Sequence, residues 1–314
     1  MNKNELIILQ SLPLDIKIMK SKRRIIEAID YFGNDGIYVS VSGGLDSTVL
    51  SHIVEQVEKE NNYKHIPRVL SNTGNEYDDV LENGRRIADI EVKPKMTAYE
   101  VWKNIGYPVG SKKIARMIND LQNPTEKNYN SRNLYLNGIK QDGTKGSPQC
   151  KLAKRFYPFI ESDIKVSHKC CDILKKEPLK RYEKESGRIP LIGTMADEGG
   201  TRTDGYIKTG CNAFEQKKSM PIGFWTKQDI LQYILDNNLY IPKEYGEIKR
   251  DENNKLYTTL EQRTGCFICM FGLHLEKGEN RFQRMKRLYP KKYNYAINVI
   301  GLRKVLDVYG IDYE

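Results

Sequence analysis

The chain has 314 residues, with 51 Lys and Arg against 41 Asp and Glu, a formal net charge of +10. A hydrophobic fraction of 39% and an aromatic fraction of 10% exclude a disordered composition. No run approaches the ~20 apolar residues that span a bilayer, and Pro13, Asp15 and Lys17 break the early apolar patch, so no secretion signal is expected.

The first elements alternate. A helical segment closes over Ile26 to Phe32, and Gly36 to Val41 reads as a short buried strand. After a glycine turn, Thr48 to Val57 carries apolar residues at helical spacing. Ile66 to Thr73 is a second strand, Tyr77 to Ile87 a helix, and Ile90 to Lys93 a third strand. This alternation predicts an α/β fold with a doubly wound parallel sheet. From Tyr107 to about Asp163 the signal weakens. Asn137-Gly138, Asp142-Gly143 and Lys145-Gly146 are turn dipeptides there, and the stretch reads as a surface insertion that orders over substrate. A helix returns over Cys171 to Glu185, then a strand over Ile189 to Thr194. Thr226 to Asn237 is a helix with Thr226 as N-cap and Asp229 at N3. The tail from Glu279 to Tyr313 is helical and basic. The expected domains are a nucleotide-binding unit over 1–240, with an insertion at about 107–165, and a C-terminal segment over 241–314 packed on it.

The first functional candidate is the turn Ser42-Gly43-Gly44-Leu45-Asp46-Ser47 between strand and helix. Two glycines let backbone N–H groups approach an anion, and the helix start adds unsatisfied N–H groups and a positive dipole end. Ser42 and Ser47 can donate hydroxyl hydrogen bonds to phosphate oxygens. Asp46 repels phosphate directly, so it either holds a bridging Mg²⁺ or caps the helix. No Lys completes a Walker A pattern. A turn that merely caps a helix is the bland alternative, which the full hexapeptide in its strand–turn–helix setting disfavours.

Six cysteines follow: Cys150, Cys170, Cys171, Cys211, Cys266 and Cys269. A secreted disulfide scaffold is shorter and denser in cysteine. Cys170-Cys171 and the Cys266-Phe267-Ile268-Cys269 turn form two close pairs that can share four thiolates with one centre. Soft thiolates select Zn²⁺ or an iron–sulfur cluster over Mg²⁺ or Ca²⁺, while uncoordinated core thiols are the bland alternative. His168, Lys169 and Arg263 lie beside these cysteines in sequence. Cys150 and Cys211 have no partner spacing and read as small hydrophobes.

The loop hexapeptide resembles the pyrophosphatase-loop (PP-loop) superfamily, and several segments look like its phosphoadenosine-phosphosulfate (PAPS) and adenosine-phosphosulfate (APS) reductase branch. Ser71-Asn72-Thr73-Gly74-Asn75-Glu76 is similar to that branch's Asp-Thr-Gly element, with Asn72 in the Asp place. Gly193 to Arg202 is similar to its Gly-x-Arg-x-x-Glu-Ser-x-x-Arg element, with Glu198 and Arg202 matching and Met195 replacing the first Arg. Pro221-Ile222-Gly223-Phe224-Trp225-Thr226-Lys227-Gln228-Asp229-Ile230 resembles its Pro-Ile-x-x-Trp-Thr-x-x-Asp-Val helix start. The likeness spans about residues 36–270 apart from the insertion. It implies a nucleotide site made of Ser42, Gly43, Gly44, Asp46, Ser47, Thr73, Gly74, Glu198 and Arg202. The adjacent pair with a distant Cys-x-x-Cys is similar to the [4Fe–4S] signature of APS reductases and of the DNA-phosphorothioation ATPase. That implies a cluster on Cys170, Cys171, Cys266 and Cys269.

The sulfonucleotide reductases attack sulfur with a cysteine in a C-terminal Glu-Cys-Gly-Leu-His motif. Here nothing after Cys269 is a cysteine, and Phe271-Gly272-Leu273-His274 echoes only part of that motif. The expected function is therefore ATP-dependent activation with pyrophosphate release, coupled to sulfur transfer or nucleic-acid modification. Sulfite-forming APS or PAPS reduction is one alternative. A non-catalytic nucleotide- or redox-sensing or nucleic-acid-binding subunit is another, with the basic segment Arg281 to Tyr293 as its candidate face. The expected cofactors are a [4Fe–4S] cluster, ATP or APS/PAPS, and Mg²⁺. The expected partners are an adenine nucleotide, a nucleic acid or a sulfur-donor protein, with no membrane. A cytoplasmic location follows by default. The basic residues are spread along the chain rather than run together, so the positive charge signals anionic partners or simply a lysine-rich chain.

Overall fold

Strand β1 (Ile37–Val41) is the organising element of the computed structural model, which describes all 314 residues. Its Ile37, Tyr38, Val39 and Val41 side chains are buried, as expected for a strand covered on both faces. The others are β2 (Arg68–Ser71), β3 (Ile90–Val92), β4 (Ile189–Ile192), β5 (Asn212–Ala213), β6 (Lys218–Ser219), β7 (Ile248–Arg250) and β8 (Leu256–Thr258). In chain order the helices are α1 (Lys3–Gln10), α2 (Leu14–Phe32), α3 (Leu45–Asn61), α4 (Asp78–Ile87) and α5 (Ala98–Asn104). They continue with α6 (Lys112–Gln122), α7 (Tyr129–Asn137), α8 (Pro158–Glu161), α9 (Glu177–Ser186) and α10 (Thr201–Thr209). The last are α11 (Lys227–Asp236), α12 (Arg281–Leu288), α13 (Pro290–Asn294) and α14 (Leu302–Tyr309). No helix is long and apolar enough to cross a membrane.

The chain divides into two compact units built from interleaved segments. The first holds residues 1–72, 76–93 and 177–265; the second holds 73–75, 94–176 and 266–314. These units do not follow a division at residue 240, because 241–265 group with the first and 94–176 with the second.

The first unit carries a six-stranded sheet in the order β3-β2-β1-β4-β6-β5, parallel except for the β5–β6 edge. The expected α/β class with a doubly wound, mainly parallel sheet is what forms. Helices flank the sheet: α2 and α3 pack on β1, and α9 packs on β2 and β3. The chain runs outward from β1 to β2 and β3, then returns to β4 on the other side of β1. That reversal between β1 and β4 is where an open α/β sheet leaves a crevice at its strands' carboxyl ends. Trp225 is fully buried, and its indole N–H donates to Ser21 Oγ at 2.9 Å while Ser21 donates to Pro221 O at 3.0 Å. Lys17, buried on α2, donates to Asp229 Oδ2 at 2.6 Å. The capping box expected at Thr226 and Asp229 is present, and together these contacts fix where α11 begins.

The second unit is largely helical. The stretch expected as an insertion without regular structure contains α6, α7 and α8. Ile114, Met117, Ile118 and Leu121 repeat at helical spacing in α6, and Met117 and Ile118 are buried. The flanking Asn and Lys residues hide that periodicity in the sequence. The expected helix from Cys171 begins with a π turn, Asp172–Lys176, immediately after the cysteine pair.

Candidate functional site

The loop leaves the carboxyl end of β1 and enters α3 at Leu45. Gly43 has φ +76°, and a Cβ there would lie 1.9 Å from Val80 O. Both the dihedral and the close approach of α4 therefore demand glycine. Asn83 Nδ2 holds the turn from α4 by donating to Gly43 O at 2.9 Å and Thr48 Oγ1 at 3.0 Å. Ser42 and Ser47 hydroxyls share a hydrogen bond at 3.1 Å, so both expected phosphate donors sit side by side. Gly44 is the N-cap of α3 and supplies no side-chain cap. A Cβ on Gly44 would stand 3.0 Å from the Tyr245 hydroxyl, which also bonds Thr264 Oγ1 at 2.7 Å. Replacing Gly43 by Ala is expected to destabilise the fold by at least about 2 kcal/mol, through strain and the clash with Val80. Gly44→Ala costs less, because only a hydroxyl tip must move. Urea unfolding of the two variants gives the comparison, and equal midpoints contradict it.

Asp46 lies inside the first turn of α3 and not at its cap, so the capping role expected as one option does not form. Its Oδ1 is buried without a hydrogen-bond partner. Burial pushes this carboxyl's pKa up, against the pull of Lys227, Arg263 and Arg202. Lys227 shifts the opposite way: burial lowers it while Asp46 raises it. Glu198 pairs with Arg202 and, at 3.3 Å, with Arg263. Its second oxygen accepts from Met195 N at 3.2 Å, which makes Glu198 a bracket for two guanidiniums. Gly193, after β4, passes so close to α3 that a Cβ would meet Asp46 O at 3.1 Å. The result is a helix N-terminus and three cations around a carboxylate with one unpartnered oxygen, a setting suited to a polyanion.

Lys227, Arg263, Tyr245 and Thr264 were not singled out for this site by sequence. Lys227 was visible only as the first residue of a capped helix, and Arg263 only as a neighbour of the cysteines. Thr73 and Gly74 belong to the second unit's segment 73–75, where Thr73 Oγ1 lies 3.7 Å from Cys266 Sγ.

In the second unit the four cysteines Cys170, Cys171, Cys266 and Cys269 line one cavity, walled by Trp102, Leu174, Ile268 and Phe271. Trp102 Nε1 donates to Cys170 Sγ at 3.2 Å. Burial first, then the neighbouring Cys266, Cys171 and Cys269, pushes the Cys170 thiol up to about 12. Burial raises Cys269 as well. The Cys-x-x-Cys turn is closed by Cys269 N donating to Cys266 O at 3.0 Å, and Arg281 donates to Cys269 O at 2.9 Å. The four cysteines supply the donor chemistry of a thiolate-bound centre, but no group of three or more His, Cys, Asp or Glu side chains is spaced to hold a metal ion. Cys211 is buried in the first unit against the Tyr206 hydroxyl at 3.3 Å. Cys150 sits in the second unit, 3.4 Å from Ser147 Oγ.

Residues 116–271 match the model of the phosphoadenosine phosphosulfate reductase domain. The match takes in Glu198, Arg202, Lys227 and both cysteine pairs, while the loop at 42–47 precedes it. A crystal structure of phosphoadenylyl-sulfate (PAPS) reductase from Candida auris in a phosphate complex aligns at 13% identity and a TM-score of 0.39. That alignment covers 81% of this chain and 98% of that one. No curated protein matches the sequence.

Proposed function

We propose that this chain, which belongs to the phosphoadenosine phosphosulfate reductase family of the PP-loop superfamily, binds ATP at the 42–47 loop and activates its α-phosphate with release of pyrophosphate. The observation that carries this reading is the chemistry of the first unit. It offers cations, hydroxyls and a helix N-terminus, but only one cysteine, Cys211, whose thiol is buried against Tyr206 and Pro221. An acceptor nucleophile attacks the α-phosphorus, the bond to the bridging oxygen breaks, and pyrophosphate departs. Loop amides with Ser42 and Ser47 hold the phosphates. Lys227, Arg202 and Arg263 offset the charge that develops on the leaving group. Asp46, whose Oδ1 is buried without a partner, would hold Mg²⁺ with the phosphates, an ion usually bound through only one or two carboxylates. Cys170, Cys171, Cys266 and Cys269 would hold a [4Fe–4S] cluster, which supplies one-electron chemistry or a sulfur site when bound.

The family match favours a second reading, sulfite-forming reduction of APS or PAPS. One experiment separates the two. Anaerobically purified protein is assayed in parallel with ATP, APS and PAPS, scoring pyrophosphate, AMP and sulfite. Pyrophosphate from ATP is the expected result. Sulfite, together with a sulfonated Cys150 or Cys211 in mass spectra, replaces this reading with the reductase one.

A further inference from the structure

The charge of this chain is segregated by unit. The first unit holds 26 Lys and Arg against 29 Asp and Glu, and the second holds 25 against 12. The whole positive excess of the protein therefore sits on the unit that lacks the nucleotide loop. Within that unit, segment 94–176 holds 16 Lys and Arg against 7 Asp and Glu. Its ion pairs are few: Lys112 and Lys176 share Asp172, and Asp163 pairs with Lys304. Lys113, Arg116, Lys140, Lys145, Lys151 and Lys154 are exposed outside those pairs.

The C-terminal helices differ. Arg281 and Arg284 pair with Glu276, Arg287 with Glu279, and Lys286 and Arg303 with Glu314. Their charge is largely met within the protein, so the tail is the weaker candidate for a polyanion surface.

Segment 94–176 also exposes aromatic rings beside cations. Tyr129 is 62% exposed, with the Arg132 guanidinium 5.9 Å from its ring centroid. Tyr99 is 42% exposed, with Lys103 Nζ at 5.6 Å. Unmet cations attract a phosphate backbone whatever its sequence, and exposed rings give unpaired bases a stacking surface. A small dianion needs neither so many cations nor the rings.

We infer that segment 94–176 of the second unit binds single-stranded nucleic acid. The inference stands on charge and surface alone and does not depend on the ATP reading, for which it would supply the acceptor.

The test is fluorescence anisotropy of the full chain with labelled single-stranded DNA, single-stranded RNA and duplex DNA, at about 50 to 200 mM salt. Binding of a single strand that weakens linearly in log salt is expected, and the two single-stranded probes show which sugar is preferred. Combining Lys140→Glu, Lys145→Glu, Lys151→Glu and Lys154→Glu weakens it at least about tenfold and flattens the salt slope. Tyr129→Ala weakens it about fivefold with little change in slope. Lys286→Glu with Lys291→Glu on the tail changes it by less than about threefold. Circular dichroism confirms that each variant is folded, and ATP binding by calorimetry stays at the wild-type level in all of them. Failure of ATP binding in the unmodified chain would sink the loop reading and leave this one standing. No binding at low salt, tighter binding to duplex than to either single strand, or a larger loss from the tail pair than from the four-lysine variant overturns the inference.

Discussion

Replacing Asp46 by Asn is expected to weaken Mg²⁺-dependent ATP binding at least tenfold, about 1.4 kcal/mol, while making the nucleotide-free protein more stable at neutral pH. The two effects share one cause. The Asp46 carboxylate is buried with Oδ1 unpartnered, and burial raises its pKa despite Lys227, Arg263 and Arg202. A carboxyl whose folded pKa is raised favours folding when protonated. Its contribution is fully present below the unfolded pKa and is lost as pH rises through the folded value. As pH rises above the unfolded value, wild type therefore loses stability that Asn, neutral at every pH, keeps, and the variant melts higher at neutral pH. Below the unfolded carboxyl value of about 4 that contribution is fully present, and the gap closes. Calorimetric titration with ATP, with and without Mg²⁺, reads the first effect; thermal melts across pH read the second. Unchanged affinity in the folded variant removes Asp46 from the nucleotide site. A variant that melts lower at neutral pH instead shows that Asp46 is needed by the cations around it.

The parts of this site that were legible in the sequence are those encoded locally. The hexapeptide shows itself because two adjacent glycines between a β-branched strand and an amphipathic helix have few other uses, and Gly43's positive φ and contact with Val80 account for one of them. The Thr226–Asp229 box reads directly as a helix start, and it forms. What was not legible came from tertiary convergence. Lys227 reaches the Asp46 environment because α11 packs on α3, and Arg263, far from both in sequence, arrives there from the stretch after β8. Arg263 adjoins the cysteines in sequence, yet it groups with the first unit and binds Glu198. Glu198 and Arg202 were matched by resemblance, but only the geometry shows that the acid holds the bases. Strands β5 and β6 have two residues each, too short for any period to register. The positive charge looked evenly spread because the units interleave along the chain, which mixes a basic unit with a slightly acidic one.

The second large effect is expected at the cysteines. Each single change of Cys170, Cys171, Cys266 or Cys269 to Ser lowers iron and acid-labile sulfide and bleaches the visible absorption of anaerobically purified protein. Cys150→Ser and Cys211→Ser do neither. The four thiols face one dry cavity, and Trp102 already donates to Cys170 Sγ, the kind of outer contact that orients and tunes a metal ligand. The Cys170 thiol, pushed up to about 12, stays protonated on its own, and burial raises Cys269 too, so a bound cation is what would make thiolates of this pair tolerable. Such a centre ties segment 94–176 to segment 266–314, which form the second unit with residues 73–75. Metal-binding energy then acts as folding energy, and loss of one ligand also lowers the unfolding midpoint of this unit. Limited proteolysis of the Cys→Ser variants reads that loosening, with Cys150→Ser as the control from the same unit. Stoichiometric zinc without iron or sulfide in anaerobic protein replaces the cluster by a structural zinc site on the same four residues. Neither metal, with all six single variants equally stable, leaves the cavity as a core of packed thiols.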